Sequence, residues 1–294
     1  MQEYIFNMEN MRFGESQNTM ILLKNGEDLF LMLRNPLGEE ISKIKVLHIS
    51  KLKKLTNFFY RGFNIALNGK TLEEQIIPED DLMECERKIL ISGENLEEKT
   101  THAINVLKNY YKAQVSHNHY ERTMVYLDTQ NKELRNNNMI FRLTQEGNVV
   151  KATIHMDNNL SGDKKHIIKF FFNDTALFEV IDFFEKALSL VPITREFKSC
   201  RTEYKCILDG EKFEISLDSV PIQNGMYNSL EIECDNFPGA KEHNSSKVDI
   251  SAKLFASSLG LGDCPVVDVG TEAIHELMTG QSFFDSLSIN NKRK

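Results

Sequence analysis

Residues 211–219 read Glu-Lys-Phe-Glu-Ile-Ser-Leu-Asp-Ser, and residues 227–235 read Tyr-Asn-Ser-Leu-Glu-Ile-Glu-Cys-Asp. Both alternate with a period of two, the signature of a strand with two unlike faces. In the first, Lys212, Glu214, Ser216 and Asp218 share one face and Phe213, Ile215 and Leu217 the other. In the second, Ser229, Glu231 and Glu233 oppose Leu230 and Ile232. The run 82–91 sets Glu84, Glu86 and Lys88 on one side. The ordinary meaning is a half-buried sheet with charge toward water. Two features point the other way. Glu84/Glu86 and Glu231/Glu233 repel at a Cα spacing of roughly 7 Å, a cost that a metal ion or basic neighbour removes. The chain also carries several amphipathic helices, and these need an apolar surface to cover.

Working outward, eight strands are expected, at 82–91, 115–128, 138–146, 148–157, 164–173, 196–208, 211–219 and 227–235. Helices are expected at 98–112, with Thr100 or Thr101 as N-cap, and at 174–190, 247–259 and 272–287. If helices coat the apolar faces, the charged faces turn toward one another. The expected fold is therefore α+β: an eight-stranded antiparallel barrel or tunnel with a polar lumen and helices packed outside. Strand parity puts Glu84, Glu86, Glu214, Asp218, Glu231 and Glu233 in the lumen as acids. It puts Lys88, Arg142, Lys151, Arg201, Lys205 and Lys212 there as bases. Carboxylate clusters bind hard divalent cations, and Arg and Lys bind phosphate oxygens. A metal-bound polyphosphate suits both together.

Residues 1–80 form a separate, small β-rich N-terminal segment, with a boundary at the polar run Pro78-Glu79-Asp80-Asp81. Apolar runs at 19–23 and 28–33 flank Asn25-Gly26, a hairpin signal. A strand is expected at 43–50 and a helix at 51–63, where Leu52, Leu55, Phe58 and Phe59 have helical spacing. The stretch 64–71 ends Gly-Lys-Thr like a phosphate-binding loop, but Asn64 stands where the first glycine belongs, so an ordinary turn is expected.

The 294 residues carry a net charge of -8, which argues against duplex nucleic acid as partner. Cys85, Cys200, Cys206, Cys234 and Cys264 contain no Cys-x-x-Cys pair, so free thiols are expected and zinc is not. His117 and His119 alternate on a strand without a third ligand and read as surface residues. The opening Met-Gln-Glu-Tyr-Ile-Phe lacks the order of an export signal, and no apolar run approaches the roughly 20 residues of a membrane span. A cytoplasmic protein acting away from membranes is expected.

Glu84-Cys85-Glu86-Arg87-Lys88-Ile89-Leu90 resembles the opening Glu-x-Glu-x-Lys strand of the CYTH superfamily, the triphosphate tunnel metalloenzymes. Further likenesses follow in the family's order. Tyr126-Leu127-Asp128-Thr129 resembles a strand end, and 137–143 is similar to the next strand, with Arg142 at a substrate position. Arg201-x-x-Tyr204 and 213–220 resemble a late hairpin, and Leu230-Glu231-Ile232-Glu233 a closing Glu-x-Glu strand. The resemblance spans about residues 82–280, in a tunnel domain expected over 82–288.

This resemblance implies a tunnel that binds a small triphosphate with Mg²⁺ or Mn²⁺. Glu84, Glu86, Glu231 and Glu233 would hold metal, and Lys88, Arg142 and Arg201 phosphate. Lys151 and Lys212 join them by parity. Glu214 or Asp218 would orient the attacking water. The expected activity is metal-dependent triphosphate hydrolysis. The alternatives are a nucleotide- or polyphosphate-binding module and an adenylate cyclase of the same fold. Departures bear on turnover. Thr144 stands where a second Arg is usual, Thr153-Ile154-His155 replaces Thr-x-Lys, and Lys165-His166-Ile167-Ile168-Lys169 carries no Glu. Arg201 is shifted from the usual place of a late lysine.

Overall fold

The computed structural model describes residues 2–14, 16–46, 52–69, 82–84, 86–91, 95–157, 165–208, 211–222, 225–233 and 245–267. The expected helix at 272–287 lies outside them.

The N-terminal segment forms a five-stranded antiparallel sheet in the order β4-β3-β2-β1-β5. Its strands are β1 (Gln2–Asn7), β2 (Thr19–Asn25), β3 (Asp28–Arg34), β4 (Glu40–Val46) and β5 (Ala66–Leu67). The predicted hairpin forms: Asn25 pairs with Asp28, and Gly26 takes a φ of 63° that a side chain would resist. Two of the strands, β1 and β5, are not foreseen by the pattern. β1 alternates weakly, and β5 is only two residues long. The stretch from Asn64 turns at Asn68-Gly69, and its Lys-Thr end lies outside the described residues.

The second sheet holds β6 (Leu82–Glu84), β7 (Glu86–Ile91), β8 (Gln114–Asp128), β9 (Met139–Glu146), β10 (Val149–Asp157) and β11 (Lys165–Asn173). It continues with β12 (Val191–Pro192), β13 (Phe197–Leu208), β14 (Glu211–Ile222), β15 (Gly225–Glu233) and β16 (Val266–Val267). The order is β16-β7-β15-β14-β13-β8-β9-β10-β11-β6, with β12 added beside β8. All pairs are antiparallel.

The expected closure into eight hydrogen-bonded strands does not form among the described residues, where the ladder has eleven strands and stays open. The cause is local to 82–91. Leu82–Glu84 pair with β11, whereas Glu86–Ile91 pair with β15. The other edge of β7 is taken by β16 through Val266–Ile89 and Val267–Lys88, and Leu90 N donates to Pro265 O at 2.9 Å. Among the described residues, the two ends of the ladder therefore meet at one chain segment without a ladder pairing between them.

Among the described residues, the helices pack on the apolar face. These are α1 (Leu52–Phe63), α2 (Leu96–Asn109), α3 (Glu133–Asn136), α4 (Leu177–Leu188) and α5 (Ser245–Ser258). α2 begins a turn earlier than expected, at Asn95 rather than at a threonine; Thr100 Oγ1 instead donates to Leu96 O. α2 and α5 cover Ile89, Ile91, Ile215, Leu230 and Ile232. α1, α4 and the N-terminal sheet cover Phe141, Leu143, Val150, Ile154, Phe170 and Phe172 in one continuous core. Phe58 on α1 sits at its centre, with ring centroids 6.0 Å from Phe170, 6.3 Å from Phe141 and 6.3 Å from Phe184. Gly62 lets α1 lie close on β10, because a Cβ there would collide with the end of Ile154. No helix among the described residues is long and apolar enough to cross a membrane.

Because one core serves both sheets, Phe58→Ala is expected to cost about 3–5 kcal/mol and to leave a single unfolding transition. Urea unfolding followed by far-UV circular dichroism and tyrosine fluorescence checks this; two separated transitions would contradict it.

Candidate functional site

The face opposite the helices is charged yet buried. Lys88, Arg122, Asp218 and Glu231 are all under a tenth exposed. Such burial costs several kcal/mol per ion unless each charge is met, and they are met across strands. Arg201 on β13 clasps Asp218 on β14 with two bonds, Nε–Oδ1 at 2.7 Å and Nη2–Oδ2 at 2.6 Å. Arg122 on β8 gives Asp218 Oδ1 a third at 2.7 Å, and its Nε donates to Ser199 Oγ at 3.2 Å. Lys88 Nζ lies 2.9 Å from Glu231 Oε2, and Arg201 Nη2 3.4 Å from Glu231 Oε1. Burial raises the Glu231 pKa, but Lys88 and Arg201 more than offset it and hold the carboxyl well below its usual range. Burial likewise opposes the Arg201 charge, and Asp218 with Glu231 outweighs it.

Around the curl, toward β9–β11, cations crowd. The register puts Arg142 beside Thr153 and Thr153 beside Lys169, with Lys151 beside Thr144 one step away. Burial lowers the Lys151 pKa to about 8; Glu146, 3.7 Å away, opposes this, while Arg142, Lys169 and Arg201 add to it. Burial, Arg201 and Arg142 similarly press on Arg122. The hydroxyls of Thr144 and Thr153 are buried with no hydrogen-bond partner among the described residues. At the same rim, Tyr120 OH donates to Glu203 Oε1 at 2.7 Å, and burial with that bond raises its pKa.

The sequence-predicted residues separate into three groups. Lys88, Arg201, Asp218 and Glu231 form one bonded cluster. Arg142 and Lys151 stand together on the neighbouring wall. At the open end, Glu214 is more than half exposed and paired with Lys205 at 2.9 Å. The backbone register there puts Glu86, Glu233 and Glu214 side by side on β7, β15 and β14. Glu84 pairs instead with Lys165 across β6 and β11, and Lys212 with Ile207. The side chains of Glu84, Glu86, Glu233 and Lys212 lie outside the described residues, as does that of His117. No group of three potential metal ligands occurs among the described residues.

Arg122, Tyr120, Glu203 and Lys169 are missed by sequence parity. The reason for Arg122 and Tyr120 is a bulge: Arg201 pairs with Tyr120 but Glu203 with His117, and His119 has a φ of 42°. Parity counted from one end of β8 fails at the other. Asp128 of the Tyr-Leu-Asp-Thr run is structural. Its carboxylate accepts from the Thr129, Leu134 and Arg135 N–H groups and so starts α3.

No protein-family model and no curated protein matches the chain. Solved structures similar to it include a candidate adenylate cyclase of Vibrio parahaemolyticus, 15% identical with a TM-score of 0.46, over 65% of this chain and 97% of that one. Another is a candidate adenylyl cyclase of Hippeastrum with a dominant triphosphatase activity, 13% identical with a TM-score of 0.43, over 68% of this chain and 97% of that one. The Pct1 RNA triphosphatase of S. pombe is 11% identical with a TM-score of 0.28, over 78% of this chain and 94% of that one.

Two expectations follow from the geometry. Asp218→Asn strips the clasp from Arg201 and Arg122 and is expected to destabilise by about 3–5 kcal/mol, measured by urea unfolding. Lys151 is charged in the native protein only below about pH 8, but in the unfolded chain up to 10.5. Its burial therefore costs most below pH 8, and the cost fades as pH rises from there to 10.5. Lys151→Met is expected to stabilise the unliganded protein at neutral pH, with the gain shrinking over that window in unfolding titrations.

Proposed function

We propose that the charged inner face binds a triphosphate and that the protein hydrolyses it with Mg²⁺ or Mn²⁺, as the CYTH-like motifs imply. The observation that carries this reading is the cluster of cations on the inner face, Arg122, Arg142, Lys151, Lys169 and Arg201, in which burial and neighbouring positive charge lower the pKa of Arg122 and of Lys151. A polyanion is the ligand that relieves them. Arg142, Lys151, Arg201 and Lys88 hold phosphate oxygens in this proposal, and the Thr144 and Thr153 hydroxyls gain an acceptor. Lys212, on the face of Glu214 one step further out, belongs to the rim.

The acidic row suits a hard cation. Glu86, Glu233 and Glu214 are cross-strand neighbours, and like charges so placed repel. Their donors are all oxygen, which fits magnesium or manganese. Glu86, Glu231 and Glu233 would hold the ion, with Glu84 near the chain's change of partner. The ion would supply charge neutralisation on the phosphate oxygens. Glu214 orients the attacking water. Asp218, held by two arginines, fixes the guanidinium groups that meet the phosphates. A tunnel wall over 82–288, braced on one side by residues 1–80, is the matching architecture, and the shared core supports it.

A second reading is binding without turnover, favoured by Thr144 at the place of an arginine and by His155 at the place of a lysine. Products separate the readings: orthophosphate for hydrolysis, pyrophosphate with a cyclic nucleotide for cyclisation, neither for binding alone. With tripolyphosphate, ATP and thiamine triphosphate, metal-dependent orthophosphate release is expected. The Glu231→Gln/Glu233→Gln variant should lower it by about 10²-fold or more while keeping its circular dichroism spectrum. Undiminished release by that folded variant would sink the assignment.

A further inference from the structure

On six strands the charged zone of the inner face gives way to apolar side chains toward one end, while β10 keeps His155 beyond Thr153 and β8 ends on Asp128, paired with Arg135 at 3.4 Å. On each of the six strands, a step of two residues in the same direction replaces a polar side chain by an apolar one. Lys88 gives way to Leu90 on β7, Ser229 to Tyr227 on β15, and Asp218 to Val220 on β14. Ser199 gives way to Phe197 on β13, Arg122 to Met124 on β8, and Arg142 to Ile140 on β9. Because neighbouring strands run antiparallel, all six steps lead to the same end of the curl.

There Leu90, Met124, Tyr126, Phe197, Val220 and Tyr227 form one buried cluster, none more than 9% exposed. Tyr126 and Phe197 stack with planes 4° apart and centroids 6.1 Å apart. The cluster joins β7 to β8, which lie four strands apart in the ladder, so it fills the inside of the curl. Polyphosphate is multiply charged and heavily hydrated, and a layer of aliphatic and aromatic side chains, whose polar side-chain groups are the hydroxyls of Tyr126 and Tyr227, excludes it. At the opposite end, by contrast, Glu214 and Lys205 are open to water.

We propose that the cavity has a single mouth and that it selects phosphate chains with a free end. The inference rests on the triphosphate reading above. The terminal phosphates enter first, pass the rim of Tyr120, Glu203 and Lys205, and stop against the Phe197–Tyr126 floor. Whatever the chain is attached to, a nucleoside or further phosphates, stays outside the mouth. A chain blocked at both ends cannot seat its phosphates on Arg201 and Lys88, since it would have to thread through the floor.

The test uses the intact protein with magnesium and measures binding by calorimetry. The probes are tripolyphosphate, adenosine 5′-tetraphosphate with one free end, and P1,P4-diadenosine tetraphosphate with none. Tripolyphosphate and adenosine tetraphosphate are expected to bind alike, and the doubly blocked compound about tenfold or more weaker. Equal binding of the blocked and free-ended compounds would overturn the single mouth while leaving the triphosphate site standing. No binding of tripolyphosphate would overturn the triphosphate reading and this inference with it.

Discussion

Asp218 is held by Arg201 through two hydrogen bonds and by Arg122 through a third, in a place where water scarcely reaches. A carboxylate buried alone would be protonated or would unfold the sheet; two arginines buried alone would repel. Joined, they let three strands, β8, β13 and β14, turn charged faces inward. Glu231 extends the arrangement to β15 and Lys88 to β7. Every other feature follows from this inversion. The helices must lie outside, because the apolar faces are outside. The sheet must curl, because its inner charges find partners two strands away.

The same inversion explains why so much core lies on one flank. α2 and α5 suffice to cover β7, β14 and β15. The flank of β9–β11 presents Phe141, Phe170 and Phe172, a larger apolar surface. The N-terminal segment meets it with α1, whose phenylalanines interleave with that of α4. The wall that carries Arg142 and Lys151 inside is thus stiffened from outside. Holding several cations close together in a fixed, dry geometry costs folding energy and prepares the site for an anion.

Much of this was legible from residue order. Period-two alternation marked the strands from β7 to β15 apart from the two-residue β12, and the clash of Glu231 with Glu233 hinted that the charged face was the inner one. Phe58 and Phe59 at helical spacing marked α1. What was not legible has physical causes. The bulge at 117–120 breaks parity in β8, which hid Arg122 and Tyr120. β12 and β16 are two residues each and carry no period, so the capping of β7 by Val266–Val267, and with it the open ladder, was invisible. Parity also says nothing about depth. It grouped Asp218 with Glu214, although one is clasped and buried and the other is at the rim beside Lys205.

The central claim is that the cations of β8–β11 form an anion site rather than a mere structural network. Calorimetric titration of tripolyphosphate into the native protein and into Arg142→Gln/Lys151→Gln tests it most directly. The account predicts one site per chain in the native protein, an affinity that falls as pH rises through about 8 where Lys151 discharges, and loss of binding in the variant. Equal, pH-independent binding by the two proteins, or none by the native one, would contradict it.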